Sequence, residues 1–309
     1  MHGPKTIHLS DYRPSPFRIE ECYLEFDIYE EKTVVRNTMM VRHDSQEPLV
    51  FDGAMLQLES VACNGEPIGP EEYEVDESSL TIASLPNACE VTVVTTLYPD
   101  ENTALEGLYR SGRILCTQNE PEGFRRITYF LDRPDNMCRF RTKVVADRKR
   151  YPVLLSNGNR HSEGDAGGGR HWVVWDDPFP KPTYLFALVA GDLGKVEDAF
   201  VTAFGREIEL CIYCDPGNEA KCAHAMRSLK ASMGWEEEVY GREYDLEIYN
   251  IVAVDSFNMG AMENKGLNIF NSHYVLADEE TATDTNFLGI ESVIAHEYFH
   301  NWTGNRITC

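Results

Sequence analysis

Thr285-Asn286-Phe287-Leu288-Gly289-Ile290-Glu291-Ser292-Val293-Ile294-Ala295-His296-Glu297-Tyr298-Phe299-His300, continuing to Cys309, is the stretch on which the reading of this chain turns. Asp284 or Thr285 can cap a helix start here, and Gly304 can end it. Phe287, Ile290, Ile294 and Tyr298 then share one side, while Val293, Ala295 and Phe299 flank the histidines. A helix apolar nearly all round is expected to be buried. Residues four apart on a helix lie about 40° from each other, so His296 and His300 project from one face. That spacing lets two imidazole nitrogens reach one tetrahedral zinc ion. Glu297, one position on, lies beside such an ion and is better placed to hold a polarised water than to ligate. Two imidazoles and a carboxylate on a buried helix are costly unless something pairs them, and a metal would. Catalytic zinc takes three protein ligands, so the third has to come from outside this motif.

Upstream, the pattern changes character. From the N-terminus to about residue 190 the signal is almost purely β. Leu24-Glu25-Phe26-Asp27-Ile28 alternates apolar and acidic residues, the period of a half-buried strand. Thr33–Arg42, Met55–Cys63, Val91–Leu97, Val153–Leu155, His171–Trp175 and Tyr184–Val189 read as further strands. Asp52-Gly53, Asn64-Gly65, Pro86-Asn87 and Asn157-Gly158 read as turns between them. Short strands at this spacing predict a sandwich or saddle of curved sheets. Residues 164–169 are expected to form a flexible hairpin loop; no Gly-Lys-Ser/Thr follows, so they are no phosphate loop. After Gly191-Asp192-Leu193-Gly194 come a strand at Ile208–Tyr213, a helix over 219–240 with Ala223, Met226, Leu229 and Met233 on its core face, and strands at Tyr249–Val254 and Leu267–Phe270. The division is thus a β-rich domain over 1–190 and a mixed α+β part over 191–309.

Composition bounds the function. A chain of 309 residues with 42% hydrophobic and 26% charged residues is globular and long enough for about two domains. No run of ~18 apolar residues is present and the start lacks the apolar core of a secretory signal, so no membrane span is expected. Nine cysteines, an odd number scattered through strands, fit structural thiols in a reducing compartment, and the cytoplasm is the expected location. Cys211 and Cys214 differ by an odd number and face opposite sides of a strand, so they make no half of a zinc knuckle. Asn301-Trp302-Thr303 fits a glycosylation site but falls in the zinc-helix segment of a chain with no secretion signal. A formal charge of −23 repels phosphate and argues against nucleic acid, while it favours cationic ligands such as the free ammonium of a peptide.

Gly260-Ala261-Met262-Glu263-Asn264 followed about thirty residues later by His296-Glu297-x-x-His300 resembles the aminopeptidase N family of gluzincins. The run on to Asn301-Trp302-Thr303-Gly304-Asn305-Arg306, and Gln118-Asn119-Glu120-Pro121-Glu122-Gly123-Phe124-Arg125, look like the bacterial alanyl aminopeptidase branch. The resemblance extends from Tyr12 and Arg13 to Cys309. It implies a β-rich N-terminal sandwich or saddle domain followed by the start of an α+β thermolysin-like catalytic domain. It implies one Zn2+ held by His296 and His300, with Glu297 as general base. Glu263 would bind the substrate's α-ammonium with help from Glu120. Gln118 and Met259 would line the pocket for the first side chain. The backbone of Gly260 and Ala261 would align the peptide as an added strand, and Met262 and Asn264 of the same motif would also bind substrate. The substrates would be peptides with a free N-terminus and the enzyme a monomer.

The family's third ligand is a Glu nineteen positions after the second histidine, which here counts to 319, beyond Cys309. The tyrosine that the family uses to stabilise the oxyanion lies further on still. The chain is therefore expected to be a fragment that binds zinc weakly and has little or no activity alone. Two other readings compete: a non-catalytic peptidase-like interaction module, and a related zinc hydrolase of a non-peptide substrate such as a lipid epoxide. The intact Glu297 weighs against the first, since a scaffold does not need it. The bacterial-type surroundings of the zinc motif weigh against the second.

Overall fold

A computed structural model describes Thr6 and residues 8–308. Its first part is built on an eight-stranded sheet. In spatial order the strands are Asn159–Gly167, Arg170–Lys181, Cys138–Asp147, Phe17–Ile28, Thr33–His43, Ala88–Leu97, Gln57–Cys63 and Glu66–Pro67. Phe17–Ile28 and Cys138–Asp147 run parallel; the other neighbours are antiparallel. The alternation at Leu24–Ile28 is the reason this sheet has an inside. Leu24, Phe26 and Ile28 are buried, while Glu25 on the opposite face meets Lys143 at 3.2 Å. A four-stranded sheet, ordered Val153–Ser156, Leu188–Gly191, Ile114–Gln118, Gly107–Ser111, lies against the same core. Every residue of Ile114–Gln118 is buried, as a strand covered on both faces requires. Five phenylalanines join the layers. Phe124 stands edge-on to Phe130 at 5.1 Å and to Phe186 at 5.3 Å, Phe26 stacks on Phe186 at 5.9 Å, and Phe140 lies tilted against Phe186 at 5.8 Å.

The second part is a five-stranded sheet ordered Gly194–Val201, Glu207–Cys214, Ile248–Val254, Leu267–Asn271, Ala261–Met262. The three central strands are parallel. Helix α1 (Ala223–Tyr240) makes the crossover from Glu207–Cys214 to Ile248–Val254, and helix α2 (Asp284–Phe299) packs beside it. The sheet is covered on both sides. Ile208, Leu210, Ile212 and Cys214 face the helices, whereas Cys211 and Tyr213 join the core shared with the β-rich part. Cys211 and Cys214 thus point apart, as their odd spacing dictates. The antiparallel strand Ala261–Met262 closes the sheet as an edge beside the last parallel strand.

Some local expectations change. Residues 164–167 belong to a strand paired with Arg170–Lys181, so the hairpin turn is confined to the glycines at its tip. Tyr184 and Leu185 sit in a 3₁₀ turn over Thr183–Leu185, and the strand begins only at Leu188. Pro182, which lacks a backbone N–H, directly precedes that turn, at the end of the strand Arg170–Lys181. The helix over 219–240 opens with a 3₁₀ turn, Glu219–Cys222, which leaves Ala223 exposed. It ends at Gly241, whose φ of 63° allows its N–H to reach Glu237 O. α2 is capped by Thr283, one residue before Asp284; Thr283 N–H donates to Asn286 Oδ1 at 2.9 Å, in a capping box. It ends at Phe299 with His300 as the C-cap, so Gly304 lies well past its end. Nor is it buried all round. Ile290, Ile294, Glu297 and Tyr298 are buried against the sheet and α1, but Leu288 and His296 are exposed, because only one side of the helix is covered. Among the described residues no helix is long and apolar enough to cross a membrane.

Candidate active site

His300 retains helical φ and ψ at the C-cap, so the four-residue spacing brings the two imidazoles together as on a continuous helix. Their rings stand 4.5 Å apart between centroids, and the two Nε2 atoms are 2.9 Å apart. His300 Nδ1 lies 2.8 Å from the carbonyl of Thr303. An imidazole nitrogen can approach a carbonyl that closely only as the donor, so the proton sits on Nδ1 and the Nε2 lone pair is free to ligate. Gly304 guards that contact: a Cβ there would fall 2.7 Å from His300 Nδ1. Glu297 is buried beside the pair, and among the described residues its Oε2 has no hydrogen-bond partner. Burial, then repulsion from Glu263 and Glu120, pushes its carboxyl up to about 8.

The three groups offer ligand atoms all within 4.8 Å of one another. Convergent imidazole lone pairs, a tautomer fixed from behind and an unpaired buried carboxylate oxygen fit a small divalent cation with nitrogen and oxygen ligands. A second acidic group, Glu197, Glu209 and Cys211, does not fit one. Lys195 already lies between its two carboxylates, pairing with Glu197 and with Glu209 at 3.4 Å.

Glu120 and Glu263 line one cleft of about 690 Å³ with His296, Glu297 and His300. Glu120 follows the buried strand Ile114–Gln118, and Glu263 follows the edge strand Ala261–Met262. Burial and the nearness of Glu263 raise the Glu120 carboxyl, and His300 opposes this. Met259 and Ala261 also line the cleft. Gln118 lies behind Glu120, with its Nε2 3.2 Å from Met259 Sδ, so two residues 141 positions apart form one wall. Asn264 is buried, and its carbonyl accepts from Leu267 N–H at 3.0 Å. Gly260 presents its carbonyl to Asn271 N–H at 2.9 Å. The side chain of Met262 does not reach the cleft; it is wholly buried in the core under the sheet.

Sequence reasoning gave no site role to Lys265, Asp245, Asn301 or Asn305. Lys265 Nζ donates to Asn301 Oδ1 at 2.8 Å and to Asp245, and Arg306 closes on the other Asp245 oxygen. Burial lowers the Lys265 ammonium, with Asp245 opposing. A lysine directly after the Gly-Ala-Met-Glu-Asn run was the available signal. Asn301, read above as an unused glycosylation pattern, is buried and occupied by these bonds.

A β-rich domain joined to an open α/β sheet, with His-Glu-x-x-His at the end of the last helix, defines the class of the metallopeptidases. Residues 20–185 match the peptidase M1 N-terminal domain and residues 224–309 match the peptidase family M1 domain. The chain belongs to peptidase family M1. It is 54% identical over 308 residues to an aminopeptidase N of Caulobacter vibrioides, covering 99% of this chain and 36% of the relative. It is 55% identical to an aminopeptidase N of Escherichia coli, covering 99% and 35%. Among solved structures, Legionella pneumophila aminopeptidase A in complex with aspartic acid superposes with a TM-score of 0.93 at 36% identity, covering 96% of this chain and 36% of that one. The chain thus spans about a third of the length of the relatives it matches.

Proposed function

We propose that this chain carries the amine-recognition and metal-binding residues of a zinc-dependent aminopeptidase, which removes N-terminal residues from peptides. The observation that carries the reading is the meeting of Glu120 and Glu263 with His296, Glu297 and His300 in one cleft. His296 and His300 hold zinc through Nε2; when bound there, zinc supplies Lewis acidity. Glu297 takes a proton from the attacking water and passes it to the leaving amine. Glu263 and Glu120 accept charge-assisted hydrogen bonds from the α-ammonium, which an internal peptide bond cannot offer. Gln118 and Met259 face the first side chain. The edge strand Ala261–Met262, with Gly260 and Asn264 flanking it, offers the substrate backbone those main-chain groups that are not already bonded to the neighbouring strand Leu267–Asn271.

On this reading residues 1–190 form the β-rich domain and 191–309 the first part of the peptidase domain. The rest of the reading is a cytoplasmic monomer acting on free peptides and not on nucleic acid, supported by its nine cysteines and charge of −23.

The test is zinc titration together with hydrolysis of an alanyl anilide and its N-acetylated counterpart by the protein that carries this chain. One zinc per chain, lost in His296→Ala, is expected, with cleavage of the free-amine substrate alone. Glu297→Gln should keep zinc and slow turnover by roughly 10²–10⁴-fold. Equal cleavage of the acetylated substrate, or zinc retained in full by His296→Ala, would overturn the reading.

A further inference from the structure

Two short segments directly follow the groups that must act together. Residues 264–266 follow Glu263, and residues 301–306 follow His300. A buried polar cluster joins them. Lys265 Nζ donates to Asn301 Oδ1 at 2.8 Å, and Asn301 Nδ2 donates to Asp245 Oδ1 at 3.2 Å. Asp245 also receives Lys265 and Arg306. Asn305 Nδ2 donates to the Glu263 carbonyl at 2.8 Å. From the β-rich part, Asn157 Nδ2 donates to the Lys265 carbonyl at 2.8 Å.

The Lys265 side chain is 2% exposed, a costly place for an ammonium. Buried ion networks add little stability over apolar packing of the same volume. What they add is direction, since each hydrogen bond holds only over a narrow range of distance and angle. Here the bonds run between the Glu263 loop and the end of the zinc helix.

We infer that this clamp, centred on Lys265, sets the separation between the Glu263 carboxylate and the His296–His300 pair, so that Lys265 is a positioning residue for ligands that must reach both at once. The inference rests on the aminopeptidase reading of the cleft. Apolar substitution at 265 can keep the loop packed but cannot hold it in register with Asn301. A ligand that grips only the metal is indifferent to that register, whereas one that spans metal and carboxylate is not.

The experiment compares two hydroxamates on the zinc-loaded protein. Alanine hydroxamate carries an ammonium for Glu263, and acetohydroxamate does not. Lys265→Met is expected to weaken alanine hydroxamate roughly 10- to 100-fold, the cost of a misplacement of about 1 Å, while acetohydroxamate and zinc change less than about twofold. Asn305→Ala, which removes only the bond to the Glu263 carbonyl, should shift the same ratio in the same direction and carries the test if Lys265→Met does not fold. Parallel weakening of both hydroxamates and of zinc would mean a merely structural role and overturns the inference. So does an unchanged ratio in both variants. If the unsubstituted protein binds both hydroxamates alike, Glu263 is not the ammonium site, and the aminopeptidase reading falls together with the clamp.

Discussion

Glu236 offers a stability prediction that does not depend on catalysis. It sits on α1, is 2% exposed, and among the described residues its Oε2 has no hydrogen-bond partner. It lines the groove between α1 and α2 together with Tyr298. Burial, and then the Asp245 charge, push its carboxyl from 4.5 up to about 7. Below pH 4.5 both the folded and the unfolded chain hold this proton, and the group costs nothing. As pH rises from about 4.5 to 7 the unfolded chain releases the proton while the folded chain keeps it, so stability falls. Above about 7 the whole cost is present. At about 1.36 kcal/mol per pH unit, that cost is at most about 3 kcal/mol.

Glu236→Gln removes the titration and keeps the shape. Urea unfolding, followed by tryptophan fluorescence, should show variant and unsubstituted protein within about 1 kcal/mol at pH 5. At pH 8.5 the variant should be more stable by about 2–3 kcal/mol. Other groups titrate over the same range, but they are common to both proteins and cancel in the difference. A gap independent of pH, or a variant less stable than the parent at pH 8.5, would refute the reasoning.

Three further outcomes are expected. Gly123→Ala would place a Cβ 2.3 Å from Gln118 O and 2.8 Å from Asn119 Cα, both backbone atoms. Overpacking of this kind should cost about 1–3 kcal/mol in denaturant unfolding and weaken free-amine ligands more than zinc, since the Gln118–Glu120 wall must shift. Phe124→Ala opens the centre of the five-phenylalanine cluster and should cost about 3–5 kcal/mol, read from the urea midpoint at constant m. Thr283→Ala removes the side-chain half of the α2 capping box and should cost about 1 kcal/mol, with zinc affinity unchanged because the histidines lie at the far end of the helix.

What the sequence disclosed followed from locality. The alternation at Leu24–Ile28 forces one face inward whatever the partner strand is, and that face is buried. The four-residue spacing of His296 and His300 fixes their common direction through helix geometry alone, and the nitrogens meet at 2.9 Å. Burial of α2 was over-read because apolar residues on all sides say what a helix would tolerate, not which of its sides is covered. Leu288 satisfies the pattern and is 63% exposed. Tyr184–Val189 has strand composition, but Pro182, at the start of the 3₁₀ turn, decides the backbone first. Lys265 stands next to a motif, but its burial could not be read from the sequence for a different reason. A lone lysine ordinarily belongs to the surface, and only the tertiary approach of Asp245 and Asn301, 20 and 36 positions away, makes its burial tolerable.

The composition of the cleft makes the strongest argument for its use. Glu120, Glu263 and Glu297 converge in one cleft, where burial already disfavours charge on Glu120 and Glu297. A fold has no stability to gain from gathering carboxylates in this way; their mutual repulsion and lost hydration both oppose it. Such an arrangement makes sense where positive charge enters from outside. The two imidazoles stand by Glu297 with their nitrogens converging, which suits a metal cation. Among the described residues no lysine or arginine pairs with Glu120 or Glu263, and Arg133, which lines the same cleft, pairs with Asp135, which suits an ammonium that arrives with the ligand. A neutral or anionic ligand would relieve neither cost. On the proposed reading the cleft selects for a molecule that brings one amine to the carboxylates and one carbonyl to a bound metal, and a peptide's free N-terminus would supply both within a single residue.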